Sequence, residues 1–432
     1  MRIAIVGSGI AGNVIAHHLH REHDITVFEA AAHVGGHTHT HEIVQGDERH
    51  QIDTGFIVFN DWTYPNFIAL MNELGVESQP SAMSFSVRNE NNGLEYNGTS
   101  INSLFAQRRN FLRPSFYAMI GAIMRFNREA PALLAADTSA PDIRLGDYLA
   151  AGKYSTQFVD NYLIPMGAAI WSTDPLHMLD FPARFFVRFF YQHGMLSVNQ
   201  RPQWRVIRGG SARYVEKLTA PFRHQIRLNT PVAAIKRAAT GVWLSTDSAA
   251  PVRFDQVFLA CHSDQALQML SDATTLERSV LGAIRYQQNE AVLHTDSSLL
   301  PRSRLAWAAW NYHVPRDDAF NPARPVALTY NMNILQNLHS DSTFCVTLNH
   351  SAAIDPKKVI KRIRYHHPLY TTASVAAQQR QGEVNGVNRT YFCGAYWRNG
   401  FHEDGVVSAL EALKHFSQQQ HSHAQRDLSR VA

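Results

Sequence analysis

The stretch from Met1 to Thr40 constrains this chain more than any other. Ile3-Ala4-Ile5-Val6 is a short apolar run of the kind that forms a buried parallel strand. Gly7-Ser8-Gly9-Ile10-Ala11-Gly12 follows at once, and Asn13 to His20 then reads as a helix. A second apolar run, Ile25-Thr26-Val27-Phe28, ends in Glu29, 22 positions after Gly7. The order strand, glycine turn, helix, strand, acid is that of a dinucleotide-binding βαβ unit. Gly7 permits the tight turn, Gly9 lets the backbone approach a pyrophosphate, and Gly12 lets helix and strand pack closely. The helix N-terminus then offers unpaired N–H groups and a positive dipole end to the phosphates. Glu29, with Ala30 after it at the tip of the second strand, is placed to accept hydrogen bonds from ribose hydroxyls. A glycine-rich turn in an ordinary α/β domain would not require Glu29.

Further along, Thr38 to Ile43 alternates, which places His37, His39 and His41 on one face of an extended segment. No carboxylate or cysteine cluster accompanies them, so they are expected to line a cofactor groove or a solvated edge rather than hold a metal. Pro65 starts and Gly75 stops a helix around Phe67, Leu70 and Met71. Phe85-Ser86-Val87 and Leu94 to Gly98 read as short hairpin strands. Arg108, Arg109 and Arg113 then sit among Phe105, Phe111 and Leu112, ahead of a helix opened by Pro114. Phe181, Phe185, Phe186, Phe189, Phe190 and Tyr191 crowd eleven positions, with Arg184 and Arg188 between them. Basic residues beside bulky apolar ones suit an anionic lipid surface or an acyl-chain channel. A packed helical core with arginines at its rim has the same composition.

Arg208-Gly209-Gly210-Ser211 is a second glycine turn, followed by a helix from Ala212. Gln256 to Cys261 reads as a buried strand, with Cys261 a small apolar residue rather than a nucleophile. Strand-like runs between Ala291 and Leu348 predict an antiparallel sheet, and Arg362 to Pro368 is either an anion patch or a solvated edge. Thr390 to Trp397 and Gly400 to Leu410 read as strand, turn and helix, and the polar end from about 418 as a disordered tail.

Composition narrows the class. At 432 residues the chain exceeds one typical core, so two domains are expected. A net charge of +4 is too small to make nucleic acid the main partner. The three cysteines, Cys261, Cys345 and Cys393, are far apart and odd in number, which suits a reducing cytoplasm rather than a disulfide framework or a zinc site. No run approaches the ~18 apolar residues that span a bilayer. The expectation is a cytoplasmic protein, soluble or peripheral to the inner face of the membrane.

After Glu29 the chain continues Ala30-Ala31-Ala32-His33-Val34-Gly35-Gly36-His37-Thr38. With that continuation it resembles the FAD-binding amine oxidase and phytoene desaturase superfamily, in which a Gly-Gly pair wraps the cofactor. Relatives carry an Arg after the glycines that meets a phosphate. Here His37 stands in that place, a contact that titrates near neutrality. The resemblance runs through Thr63 to Phe67, Arg201 to Trp204, Ala260 to Ala266, Ala291 to Asp296 and Phe392 to Gly405. It points to a subgroup of predicted NAD/FAD-binding oxidoreductases.

The resemblance implies bound FAD, with Gly7, Gly9, Ile10, Ala11, Gly12, Glu29, Ala30, Gly35, Gly36, His37 and Thr38 around it. It implies an adenine contact from the Val232 backbone, and cover of the flavin by Gly394, Gly405 and Val406. Relatives have an acid after the strand's glycine to hold the ribitol. Ala395 stands here instead, leaving Glu403 or Asp404 as the substitute. Asp53-Thr54-Gly55 resembles the turn that leads from cofactor domain to substrate domain. The implied fold is α/β: a Rossmann-like FAD-binding domain of residues 1–60, 201–284 and 386–417. An α+β substrate domain of 61–200 and 285–385, with a mostly antiparallel sheet, completes it, and 418–432 form the tail.

Members of this subgroup are often encoded beside cyclopropane-fatty-acid synthase-like methyltransferases. That company implies chemistry on lipid acyl chains and a lipid methyltransferase as a partner. The leading expectation is FAD-dependent oxidation or desaturation of an apolar substrate, with hydride passing to flavin N5. His402, Tyr396 and Trp397 near the flavin, and His294 on the substrate sheet, are the catalytic candidates. His402 acts as base or packs the flavin rim. A flavin amine oxidase is the first alternative. Many of those place a Lys on the substrate sheet, and no Lys occurs here between Lys236 and Lys357. A redox-neutral double-bond isomerase and a non-catalytic flavoprotein accessory to a methyltransferase are the others.

Overall fold

The computed structural model describes residues 1–135, 142–247, 249–316 and 325–431, without the side chains of 249 and 422–431. The first apolar run becomes the strand Arg2–Val6, at the middle of a five-stranded parallel sheet. Asp24–Phe28 and Gln256–Leu259 flank it, with Ile226–Arg227 and Thr390–Phe392 at the edges. Successive residues of a strand face opposite sides, so Ile3 and Ile5 enter one core and Ala4 and Val6 the other. The first core holds the helices Ile10–Leu19, Ala212–Thr219 and His402–Val431. On the opposite face lie the antiparallel strands Val232–Ala238, Gly241–Thr246 and Ala249–Phe254, and the helices Ser263–Met269 and Thr275–Leu281. A parallel sheet must be covered on both faces, and three distant stretches of chain cooperate to cover this one.

The second sheet has seven strands, in the order Val359–Pro368, Tyr286–His294, Cys345–Leu348, Ala327–Asn331, Trp310–Val314, Phe85–Asn89, Leu94–Asn97. Its neighbours are antiparallel except Trp310–Val314 beside Phe85–Asn89. The fold is therefore α/β, with a Rossmann-like parallel unit and a mostly antiparallel sheet. The hairpin predicted early in the chain and the strands predicted late in it belong to one sheet. Their junction is parallel, a pairing that needs a long crossover, here the whole passage from Asn89 to Trp310.

Helices including Pro114–Glu129 and Ala183–Gln192 close around Phe126, Phe158, Trp171, Phe181, Phe186, Phe189 and Phe190. All of these side chains are buried, so the crowded run Phe181 to Tyr191 is packed core; of its aromatics only Tyr191 is exposed. The carboxyl-terminal helix, His402–Val431, runs straight through the stretch that reads as a disordered tail, leaving only Ala432 outside the described residues. Gln419 explains the difference at its base: its amide donates to the Gly386 carbonyl (2.7 Å) and accepts from the Tyr391 hydroxyl (2.8 Å). Among the described residues no helix is long and apolar enough to cross a membrane.

Asp53 joins the two halves. Its carboxylate accepts from Ser211 N (2.9 Å) and Oγ (2.7 Å) in the second glycine turn, and from Thr40 Oγ1 (2.5 Å). It also accepts from Gln336 Nε2 (3.0 Å), just past the strand Ala327–Asn331. Burial pushes this acid up to about 6 in spite of those donors.

Candidate cofactor site

The glycine turn is built for close approach. A Cβ on Gly12 would lie 1.9 Å from the Gly7 carbonyl oxygen, so only glycine lets the helix start where it does. Gly9 differs: a Cβ there would meet nothing within 4 Å. The helix Ile10–Leu19 has Gly9 as its N-cap, with no side-chain cap and no acid in its first turn. Its opening N–H groups are thus free for an anion. Gly36 closes over the turn, 3.1 Å from Gly9 Cα by its would-be Cβ, and the Gly35 N–H donates to the Ser8 carbonyl (3.0 Å). Glu29 Oε2 accepts from Ser8 N (2.9 Å) and Oγ (2.5 Å), and Oε1 from Ala31 N (2.8 Å). A carboxylate has about four acceptor positions, so one remains for a hydroxyl. Ala30 is exposed in this turn. Open space at Gly9, uncapped donors and a spare acceptor on Glu29 fit the diphosphate and ribose of a dinucleotide.

His37 does not share a face with His39 and His41. Gly35 (φ +122°) and Gly36 (φ +60°) swing the chain before the strand Thr40–Gln45 sets its alternation. His39 stacks between His33 and His41, 4.1 Å from each, while His37 turns to a separate cluster. There its ring lies 5.9 Å from His262, 5.6 Å from His367 and 5.0 Å from Tyr365, and His366 lies 6.1 Å from His262. Four imidazoles thus converge from the Gly-Gly turn, the turn after Gln256–Leu259 and the end of Val359–Pro368. Burial, then the neighbouring imidazoles, hold His37 and His367 down at about 3 and His262 at about 4. An anion placed among them would reverse the repulsive part of that shift. Among the described residues no group of three or more His, Cys, Asp or Glu is arranged to hold a metal ion.

The carboxyl-terminal helix meets the glycine turn. A Cβ on Gly405 would come within 2.6 Å of Ile10 Cγ2, and Val406 is buried in the same core. Gly394, at φ +157°, leads out of the last parallel strand, and its N–H donates to Ser408 Oγ (2.8 Å) of that helix. Val232 begins its strand on the opposite face, with a bulge between it and Ala234 that interrupts the ladder.

Several of the predicted site residues are engaged by contacts within the protein. Glu403 accepts from Asn66 N (3.1 Å), Asn66 Nδ2 (2.6 Å) and Phe67 N (2.8 Å), so it caps the helix Pro65–Glu73, which has no side-chain cap of its own. His402 bonds through Nε2 to Tyr214 OH (2.7 Å) and Thr38 Oγ1 (2.9 Å), and those two hydroxyls bond each other (2.6 Å). Its ring stacks on Phe56 with centroids 3.4 Å apart, and burial drives its pKa well down. A neutral imidazole held this way positions the Gly-Gly turn, and the Thr38 side chain is engaged in the same triangle. His294 is buried with both nitrogens engaged, by Thr347 Oγ1 (2.7 Å) and Asp296 N (3.0 Å). Eight strand steps, ~26 Å, separate it from Tyr286, which stacks on His262. Tyr396 and Trp397 are buried in the core behind the parallel sheet, the indole N–H donating to the Phe392 carbonyl (3.2 Å).

Tertiary structure adds a cleft that the sequence does not announce. It encloses about 360 Å³ between Tyr64, Asn66, His193, Arg398, Phe401 and Asp404. Asp404 accepts from Phe401 N (2.9 Å) and lies 3.6 Å from Arg398 Nε, yet burial prevails and raises it to about 7. Phe401 stacks on Phe189 (5.2 Å), and a Cβ on Gly400 would lie 2.5 Å from Tyr370 OH, so the aromatic core backs Phe401, which lines the cleft. His366 and His367 lie in the stretch read as an anion patch or a solvated edge, but their meeting with His37 and His262 was not legible, and neither were Tyr214 and His193 as site residues, because nothing in local spacing links segments more than a hundred residues apart.

No curated protein matches the sequence. Among solved structures the chain is similar to cyclohexylamine oxidase from Brevibacterium oxydans IH-35A, at 16% identity and TM-score 0.68 over 97% of this chain and 99% of that one. It is also similar to a CLA-producing fatty acid isomerase from P. acnes, at 16% identity and TM-score 0.69 over 96% and 98%. Putrescine oxidase bound to putrescine matches at 14% identity and TM-score 0.67 over 96% and 99%. At these identities the likeness is one of fold. A sequence model of flavin-containing amine oxidoreductases matches residues 10–294, well over half of the chain. The chain therefore belongs to the flavin-containing amine oxidoreductase family and is an FAD-dependent oxidoreductase.

Proposed function

We propose that this oxidoreductase acts on an apolar substrate of the acyl-chain type, by oxidation or desaturation. The observation that carries the reading is the cleft at the start of the carboxyl-terminal helix, where Trp62, Tyr64, Phe401 and Val407 line the space beside Asp404. Those rings give a substrate rigid apolar surface. Bound FAD supplies the hydride acceptor; the polypeptide supplies orientation and a place for the proton. Asp404 is the group suited to that proton, since an acid poised near neutrality both accepts and releases it. Arg398, 3.6 Å away, favours the ionised form that accepts. Lysine is absent from six strands of the seven-stranded sheet. In the seventh, Lys361 lies on the edge strand opposite Leu293, which argues against the amine oxidase reading.

Redox-neutral double-bond isomerisation is the second reading, favoured by the similarity of fold to a fatty acid isomerase. Anaerobic mixing of the holoprotein with unsaturated and saturated fatty acyl lipids separates these readings. Bleaching of the flavin band is the expected result. A shifted double bond with no bleaching selects the isomerase, and peroxide formation with amines alone overturns the acyl-chain proposal.

A further inference from the structure

The segment from Ile101 to Arg128 contains five arginines and no acid. It folds as the short helix Ile101–Leu104, a 3-10 turn Arg108–Leu112 and the helix Pro114–Glu129. Its inward side chains, Phe105, Phe116 and Met119, are buried in the core against the seven-stranded sheet. Its outward ones are apolar too. Leu112 is 88% and Ile101 77% exposed, and Phe111, Tyr117 and Met124 are each about half exposed. Tyr117 and Met124 lie two turns apart on one side of their helix, with Gly121 between them. Phe111 stacks on Phe105 (4.0 Å), and the Tyr117 hydroxyl donates to the Phe111 carbonyl (3.2 Å), so these residues form a continuous surface.

A distant stretch enlarges that surface. The 3-10 turn Arg304–Ala306 packs on the helix Ile101–Leu104 and adds exposed Leu305, Arg302 and Arg304. Arg108 donates to Asn102 Oδ1 (2.7 Å) and the Phe105 carbonyl (3.1 Å), Arg109 to the Gly93 carbonyl, and Arg304 lies over the Trp307 ring (5.4 Å). None of Arg108, Arg109, Arg113, Arg302 and Arg304 forms an ion pair with a carboxylate among the described residues. Glu95 is buried and accepts from Arg302 N and Ser303 N (3.2 Å each), and Glu129, at the end of the helix, pairs with Arg125 and Arg128.

We propose that this face docks the protein on an anionic phospholipid membrane. Leu112 and Ile101 enter the acyl boundary, and Arg108, Arg109, Arg113, Arg302 and Arg304 meet lipid phosphates around them. Protruding apolar side chains fit a deformable lipid surface, and uncompensated guanidinium groups fit its phosphates. A protein partner would have to supply a concave, acidic counterpart.

The test is sedimentation of the full-length holoprotein with vesicles of phosphatidylcholine, alone or mixed with phosphatidylglycerol. Binding is expected only with phosphatidylglycerol present, and is expected to be lost near ~0.5 M salt, where charges are screened within a few ångströms. The double variant I101D/L112D is expected to bind at least roughly tenfold more weakly, as is R108S/R109S/R304S. Both alter exposed side chains, so each should keep the melting temperature and flavin spectrum of the parent. No sedimentation with phosphatidylglycerol vesicles, undiminished binding by I101D/L112D, or dimerisation through this face in place of lipid binding overturns the proposal.

Discussion

Asp404 shows how one buried acid bears on both stability and turnover. Its pKa in the fold, about 7, lies above that of an ordinary carboxyl. A raised acid stabilises the native state while it is protonated, and that contribution is lost as pH rises through about 4 to about 7. Asp404→Asn removes the loss and keeps an acceptor for Phe401 N. Thermal melting is expected to place it above the parent at about pH 8 and level with it at about pH 4, with the order at high pH the decisive reading. If Asp404 takes the substrate proton, the same variant loses about 100-fold in turnover while retaining flavin. The histidine cluster works in the opposite direction. His37, His262 and His367 are held neutral, below the usual histidine range. A diphosphate set beside them raises their affinity for protons, so binding draws protons in. Flavin affinity is expected to strengthen as pH falls from about 8 to about 6, by up to about tenfold per pH unit for each proton taken up. His37→Gln should flatten that dependence. Fluorescence titration of the apoprotein with FAD at several pH values measures it, and a parent with no slope would refute the role given to the cluster.

Among the elements, the helix Pro65–Glu73 shows a local rule met from far away. Proline at its start and Gly75 at its end were legible in the sequence, because both act through their own backbone. Its cap was not, since the tyrosine at the N-cap position supplies none and the carboxylate comes from Glu403, 337 residues on. Glu403→Ala is expected to cost about 1–2 kcal/mol in chemical denaturation, with an unchanged flavin spectrum. Loss of bound flavin at full stability would return Glu403 to the cofactor. The strands Phe85–Asn89 and Trp310–Val314 make the same point: each was readable as a strand, but their parallel pairing was not.

At the scale of the whole molecule, Asp53 holds the glycine turn before the helix Ala212–Thr219 to Gln336 beside the second sheet. An asparagine there would set a donor against the donors of Ser211 and Gln336. Asp53→Asn is therefore expected to lower stability by about 2–3 kcal/mol in denaturant unfolding and to loosen the flavin. What the sequence determined by itself was the dinucleotide cradle and the two kinds of sheet. Turn, helix start and strand acid lie within a few dozen residues, and hydrophobic periodicity is a local property. Only the tertiary structure decided that His37 leaves its neighbours for His262, His366 and His367, that His402 is buried against Tyr214, Thr38 and Phe56, and that Asp404 sits in a cleft. Each of these depends on desolvation and on partners from remote segments, and burial is a property of the assembled fold that no local spacing encodes.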